Sequence, residues 1–143
     1  MAEKENIQTA KEALAAFNAH DIEGYLRHVD NSYVGESETM GKVHGHQGLR
    51  QMLTTMFQAF PDLHIEVEDL IASGDHVVSR AVLTGTHKGS FAGVPATNKK
   101  VSWHGCNVVE VKNGKAIRSR MYADNLSLMR QLGAIPMPKS TTA

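Results

Sequence analysis

The chain has 143 residues, and its 15 basic and 15 acidic side chains give zero formal net charge at pH 7. Hydrophobic residues make up 41% of it, which predicts one globular domain with a real core. Because acids and bases are interspersed, nothing favours a nucleic-acid backbone or an anionic membrane as partner. No apolar run approaches the roughly 20 residues of a membrane helix, and residues 1–6 are too polar for a signal peptide, so we expect a cytoplasmic protein.

Cysteine and histidine give no sign of a metal site. The single cysteine, Cys106, has no partner in the chain for a disulfide or a cysteine-rich zinc site. The eight histidines include no His-x-x-x-His pair of the kind that binds metal on a helix. The sequence therefore predicts neither a disulfide nor a bound metal.

Helical periodicity dominates the first 60 residues. Apolar residues recur at helical spacing over 7–19, which predicts a first helix. Asp21 is placed to cap a short second helix over residues 22–26. A continuous apolar stripe over 48–60 predicts the clearest helix, and a proline follows it. Residues 33–43 lack periodicity and predict only a short strand and a loop.

After residue 62 the apolar period changes to two, as in half-buried strands. We predict four strands, which form two hairpins: residues 63–68, 77–86, 101–111 and 115–123. The loop between the hairpins carries Phe91, Val94 and Pro95, which could fold back as a lid. A short helix over residues 125–132 closes the domain, whose core we expect at about residues 7–133, and the tail over residues 136–143 reads as disordered. Helices followed by antiparallel hairpins, without β-α-β alternation, predict an α+β fold with a bent antiparallel sheet around the helices.

The last hairpin allows two registers. A two-residue turn at Asn113 and Gly114 pairs Trp103 with Asp124 and mixes polar with apolar residues on each face. A three-residue loop with Gly114 as a bulge separates the faces, and we prefer it because His104 then lies opposite Tyr122 with Asp124 within diagonal reach. One face then holds Trp103, Asn107, Val109, Val111, Ile117, Met121 and Ala123. The other holds Ser102, His104, Cys106, Glu110, Arg118, Arg120, Tyr122 and Asp124.

Six short stretches of the sequence, taken in order, carry a family resemblance. They are FNAHD at 17–21, GLR at 48–50, FPD at 60–62, GTHKGSFAGVPAT at 85–97, NGK at 113–115 and YAD at 122–124. In this order and spacing the chain resembles the SnoaL-like polyketide cyclases of the NTF2-like superfamily.

The resemblance implies a cone-shaped α+β fold, in which a curved antiparallel sheet wraps N-terminal helices and leaves a deep apolar pocket at its wide end. It also implies a homodimer or homotetramer and a small apolar, carbonyl-containing substrate. In the cyclases, an aspartate of the last strand acts as acid and base on an enolisable polyketide without a metal or cofactor. Asp124 is the residue that matches it.

We therefore predict Asp124 and His104 as catalytic residues, with His104 polarising a carbonyl or orienting the carboxylate. Asp124 would need an apolar, water-poor pocket to hold its pKa near the working pH. Predicted substrate-binding residues are Phe17, Tyr33, Met52, Met56, Phe57, Trp103 and Tyr122, the two tyrosines as donors to an enolate oxygen. For each apolar member of this set, plain core packing is the competing interpretation.

Two functional hypotheses remain. The first is a cofactor-free enzyme that closes a carbonyl-rich substrate by intramolecular aldol addition. The second is a non-catalytic module of the same fold that holds a hydrophobic ligand or assembles with itself. An isomerase- or hydratase-type enzyme is a variant of the first, and it would need a second carboxylate, such as Glu36 or Glu110, near Asp124.

Overall fold

In the computed structural model, which describes residues 2–136, helices occupy the first part of the chain and long strands the second. The helices are α1 (Ala2–Asn18), α2 (Ile22–Leu26), α3 (Gly45–Ala59) and α4 (Asn125–Gln131). The strands are β1 (Val29–Ser37), β2 (Gly41–His44), β3 (His64–Ser73), β4 (His76–Thr86), β5 (Lys100–Lys112) and β6 (Lys115–Ala123). The predicted order of elements is confirmed. Apart from its first residue, the tail predicted as disordered lies outside the described residues.

The helix ends follow local chemistry. The carboxylate of Asp21 accepts the backbone N–H of Gly24 at 2.9 Å and caps α2, as predicted. Helix α3 buries the stripe that contains Leu49 and Leu53 and ends before Pro61, which has no N–H to continue it. Within the described residues, no helix is both long and apolar enough to span a membrane.

The six strands form one curved, open sheet in the order β2-β1-β6-β5-β4-β3. Four of its neighbouring pairs are antiparallel, but β1 and β6 run parallel. The predicted α+β fold with a curved sheet is confirmed, but the sheet is mixed rather than antiparallel throughout. The parallel pair could not be predicted, because β1 and β6 lie far apart in sequence and local turn patterns cannot show how they pair. The two strands β1 and β2 occupy the stretch that the sequence left without a clear pattern.

The register of β5 and β6 differs from the predicted one. Lys112 pairs with Lys115 around a two-residue turn, in which Asn113 and Gly114 have φ of 52° and 75°. The extra residue comes later, at Ile117 in β6, between the pairs Glu110–Arg118 and Val111–Ala116. Both registers contain one extra residue, so the side chains beyond the bulge lie on the faces that were predicted. Each residue there pairs with a partner two positions away from the predicted one.

The core lies between the helices and the inner face of the sheet. Phe60, at the end of α3, is fully buried and contacts the rings of Phe91 and Trp103 at centroid distances of 5.2 and 5.3 Å. Phe91 belongs to the loop between β4 and β5, so this loop does fold back onto the core.

Candidate functional site

A cavity of about 180 Å³ lies between α1, α3 and the inner face of the sheet. Its walls are mostly apolar and include Phe17, Tyr25, Met52, Met56, Phe91 and Trp103. An engineered protein cavity of about 150 Å³ suffices to hold benzene, so this space admits at least one ring.

The sheet side of the cavity is built from two rows of residues in register across neighbouring strands. The first row is Ala81, Gly105 and Ala123, and the side chains of Met121 and Leu83 pack over Gly105. The second row, two residues along each strand, is Ser79, Asn107, Met121 and Ser37. The first row is thus apolar, and Ser79, Asn107 and Ser37 of the second row offer polar groups.

A pair of hydroxyl groups projects into this apolar space. The phenol of Tyr33 is hydrogen-bonded to the hydroxyl of Ser119, and both residues are buried and line the cavity. Gly35 makes the contact possible, because a Cβ there would lie 2.9 Å from the Cζ atom of Tyr33. Burial raises the pKa of Tyr33, although the hydrogen bond from Ser119 acts in the opposite direction. Tyr33 therefore stays a neutral donor at physiological pH.

The placement predicted for Asp124 was wrong. Asp124 is exposed, does not line the cavity, and its Oδ1 accepts the backbone N–H of Ser127 at 3.0 Å as the N-cap of α4. Its backbone N–H donates to the carbonyl oxygen of His104 at 2.9 Å. The strand ends at this point and the chain turns into α4, which directs the carboxylate to the helix rather than to the cavity.

His104 and Tyr122 also lie outside the cavity. The side chain of His104 is 66% exposed, and its Nε2 is 4.0 Å from Glu68 on the outer face of the sheet. Tyr122 is 57% exposed and lies opposite Cys106, not His104. Both belong to the polar face that the sequence analysis grouped together, and that face points away from the helices.

The other predicted substrate-binding residues fall into two groups, those that line the cavity and one that does not. Phe17, Tyr33, Met52, Met56 and Trp103 line the cavity, as expected for binding residues. Phe57 does not; it stacks on His20 at a centroid distance of 4.0 Å and packs against Phe17 between α3 and the end of α1. For Phe57, plain packing is the interpretation that the structure favours.

Sequence reasoning missed Ser119, Asn107 and Gly35. Asn107 stood on the same predicted face as Trp103, so that face assignment contained the signal that it borders the interior. Ser119 and Gly35 carried no comparable signal, because their roles depend on the parallel pairing of β1 with β6, in which Gly35 is the partner of Ser119.

Ionisable groups are scarce in the cavity wall. Among the described lining residues, Glu36 is the only one with a carboxylate, and it also borders a smaller hollow beside Arg120 and Lys42. No cluster of three or more His, Cys, Asp or Glu that could hold a metal ion occurs in residues 2–136. Apart from the Glu36 carboxylate, the polar chemistry available inside is therefore that of hydroxyl and amide groups.

The model of the SnoaL-like polyketide cyclase family matches residues 7–132. The chain belongs to this family. It is 25% identical over 130 residues to aklanonic acid methyl ester cyclase DnrD of Streptomyces peucetius, covering 89% of this chain and 90% of that protein. Its structure is similar to that of AclR, a proposed hydroxylase from Streptomyces galilaeus, with a TM-score of 0.86, 30% identity, and coverage of 96% of this chain and 87% of that one.

A third relative is TsrD from Streptomyces laurentii, with a TM-score of 0.80, 26% identity, and coverage of 90% of this chain and 94% of that one. The fold shared by these proteins is the NTF2-like α+β fold that the sequence predicted. The comparisons thus confirm the predicted family and fold, and the relatives carry names for more than one reaction.

Proposed function

We propose that the protein binds a carbonyl-rich, largely apolar small molecule in the cavity and closes a ring in it by intramolecular aldol addition. The observation that carries this proposal is the Tyr33–Ser119 hydroxyl pair in an apolar enclosure. A neutral donor held in a water-poor site stabilises the negative charge that develops on a carbonyl oxygen under attack. The named activity of DnrD, an ester cyclase, supports the same reaction class.

The proposed step needs only proton movement. The enol carbon of the substrate bonds to its own ketone carbon, and the ketone oxygen takes the proton of Tyr33. Tyr33 regains a proton from Ser119, which takes one from the enol oxygen. Either hydroxyl of the pair can act as the donor, so the relay can run in this direction. The product is an isomer of the substrate, and the cavity contributes by holding the two carbons close together.

Replacing the phenol tests this assignment. We expect Tyr33→Phe to lower kcat about 100-fold with little change in KM, since it removes one donor to the developing oxyanion. The assay is cyclisation of a linear β-diketone ester followed by chromatography. Tyr122→Phe is the matched control, because this tyrosine lies on the outer face, and its kcat should equal that of the wild type. Equal turnover in wild type and Tyr33→Phe would refute the role of the pair.

The likeness to AclR raises a competing reaction, hydroxylation. Aldol closure keeps the mass of the substrate, or lowers it by one water if dehydration follows. Hydroxylation adds one oxygen atom and consumes dioxygen together with two electrons from a reductant. Mass spectrometry of the product, with and without dioxygen, separates the two reactions.

A non-catalytic ligand-binding role is the second candidate. The observation that favours it is that Glu36 is the only carboxylate-bearing residue among the described lining residues. Under this hypothesis the protein binds the β-diketone ester tightly but releases it unchanged at every pH tested. The predicted homodimer or homotetramer stays a prediction under either function.

A further inference from the structure

The amide of Asn107 is an unexplained polar group in the interior. Its Oδ1 atom is buried and has no hydrogen-bond partner within the described residues. A buried acceptor without a partner destabilises a protein, and such groups are rare in native structures. Asparagine is also disfavoured in strands, so folding alone gives no reason for this residue in the middle of β5.

The position of Asn107 places it beside the proposed oxyanion site. Asn107 lines the cavity and pairs with Met121, while Ser119 pairs with Val109. Asn107 and Ser119 are therefore diagonal neighbours on one face, roughly 7 Å apart by general sheet geometry. A ligand that places a carbonyl oxygen at the hydroxyl pair can reach the amide with a second substituent on the same edge.

The neighbouring row is Ala81, Gly105 and Ala123, one step further along the same three strands. The side chains of Met121 and Leu83 pack over its centre at Gly105. A ligand therefore meets an apolar surface next to the polar amide of Asn107. Since an amide both donates and accepts, the substituent that suits it in either orientation is a hydroxyl group.

We propose that Asn107 is a specificity residue that binds an enol or phenol hydroxyl of the ligand, next to the carbonyl that Tyr33 holds. This inference rests on the proposed function, in that it assumes a carbonyl ligand in the cavity. It extends that function by naming the residue that selects a ligand with a hydroxyl group beside its carbonyl.

The test combines two ligands with two proteins. The ligands are 9-fluorenone and 2-hydroxy-9-fluorenone, at a pH low enough to keep the phenol protonated. The proteins are the wild type and Asn107→Leu, which has a similar shape but no amide. Binding is followed by quenching of Trp103, which is the single tryptophan and lines the cavity. Cys106→Ser is the matched control, because Cys106 is adjacent to Asn107 in the chain and lies on the opposite face of the sheet.

We expect the wild type and Cys106→Ser to bind the hydroxy ketone roughly tenfold more tightly than the parent ketone, and Asn107→Leu to lose or invert this preference. We also expect Asn107→Leu to raise the Tm of the free protein by about 3 °C, because it removes an unpaired buried acceptor. A preference that survives in Asn107→Leu, or is absent from the wild type, would overturn the role of Asn107 and leave the cavity function intact. Failure of the wild type to bind either ketone would instead remove the proposed function, and this inference with it.

Discussion

Asp124 ends β6 and begins α4, and its carboxylate accepts the N–H of Ser127 at 3.0 Å. The first amides of a helix have no partner within the helix, so a capping side chain stabilises it by about 1 kcal/mol. Asparagine caps almost as well as aspartate, whereas alanine does not. The carboxylate therefore has a structural task that an amide can also perform.

Two substitutions at Asp124 separate folding from catalysis. We expect Asp124→Ala to lower the free energy of unfolding by about 1 kcal/mol and Asp124→Asn to change it by only a few tenths. Turnover per folded molecule should be unchanged in both, because the residue lies outside the cavity. Urea denaturation and the cyclisation assay measure the two effects. A well-folded but inactive Asp124→Asn variant would restore the catalytic role that the sequence predicted.

Gly35 controls the position of the Tyr33 ring. We expect Gly35→Ala to lower turnover nearly as much as Tyr33→Phe, since its Cβ would lie 2.9 Å from Cζ of that ring and displace it from Ser119. Gly35 is not among the residues with positive φ, so an alanine fits the strand backbone. In a Tyr33→Phe background, Gly35→Ala should cause little further loss of turnover. Strictly additive losses would show that Gly35 acts through something other than the phenol.

The positions of most helices and strands were predictable, but the pairing of the last two strands was not. The apolar stripe of α3 and the alternation in β3 to β6 predict these elements, because each pattern is local. The partner offset in the last hairpin could not be predicted, because it depends on whether the extra residue is Gly114 in the turn or Ile117 in the strand. That choice moved Tyr122 from His104 to Cys106 but kept Trp103 and Asn107 on the inner face.

The loop between β4 and β5 is held by a buried histidine. His87 is 0% exposed; its Nδ1 accepts the N–H of Thr97 at 3.2 Å and lies 2.9 Å from that residue's hydroxyl oxygen. Its Nε2 has no partner within the described residues. Burial lowers the pKa of His87, so the ring is neutral in the folded protein.

This neutral histidine predicts a loss of stability in mild acid. Above its ordinary pKa of 6.5 His87 is neutral in both states, and as pH falls the unfolded chain binds the proton first. The free energy of unfolding should therefore fall between pH 6.5 and the lowered pKa of the folded state. Urea denaturation from pH 7.5 to 5 measures this slope. His87→Gln should reduce the slope, and an unchanged slope would contradict the assignment.

Asp62 affects the stability of the fold in a different pH range. The backbone N–H and hydroxyl of Thr86 donate to its carboxylate and lower its pKa, so its contribution is present above the ordinary value of 3.8 and is lost as pH falls below it. The decline above pH 5 can thus be assigned without interference from this group.

At the scale of the whole molecule, one parallel contact brings the site together. β1 supplies Tyr33 and Gly35, β6 supplies Ser119, and the two strands are neighbours although Tyr33 and Ser119 are 86 residues apart in sequence. The family resemblance predicted a pocket, but no local pattern predicted this pairing. For that reason only the structure shows the hydroxyl pair, whereas the sequence predicted the apolar wall that α3 provides.

Occupation of the cavity should stabilise the whole fold. A ligand that binds only the folded state at 100 times its Kd adds about 2.7 kcal/mol, which corresponds to a Tm increase of about 8 °C for a chain of this size. We expect 9-fluorenone to raise the Tm and a sulfonated fluorenone not to, because the described lining residues include no lysine or arginine. Differential scanning fluorimetry measures both. An equal increase with the sulfonate would indicate binding at the surface.

The bulge at Ile117 also constrains how this protein can be altered by insertion or deletion. Removing Ile117 itself would keep Glu110 opposite Arg118 and Val111 opposite Ala116, so Ser119 and Met121 would still face the interior. Removing Ser119 instead would shift the end of β6 by one position and send Arg120 and Tyr122 into the interior. Single-residue deletions in β6 should therefore survive selection at the bulge, whereas beyond it they should survive only with a second length change that restores the parity.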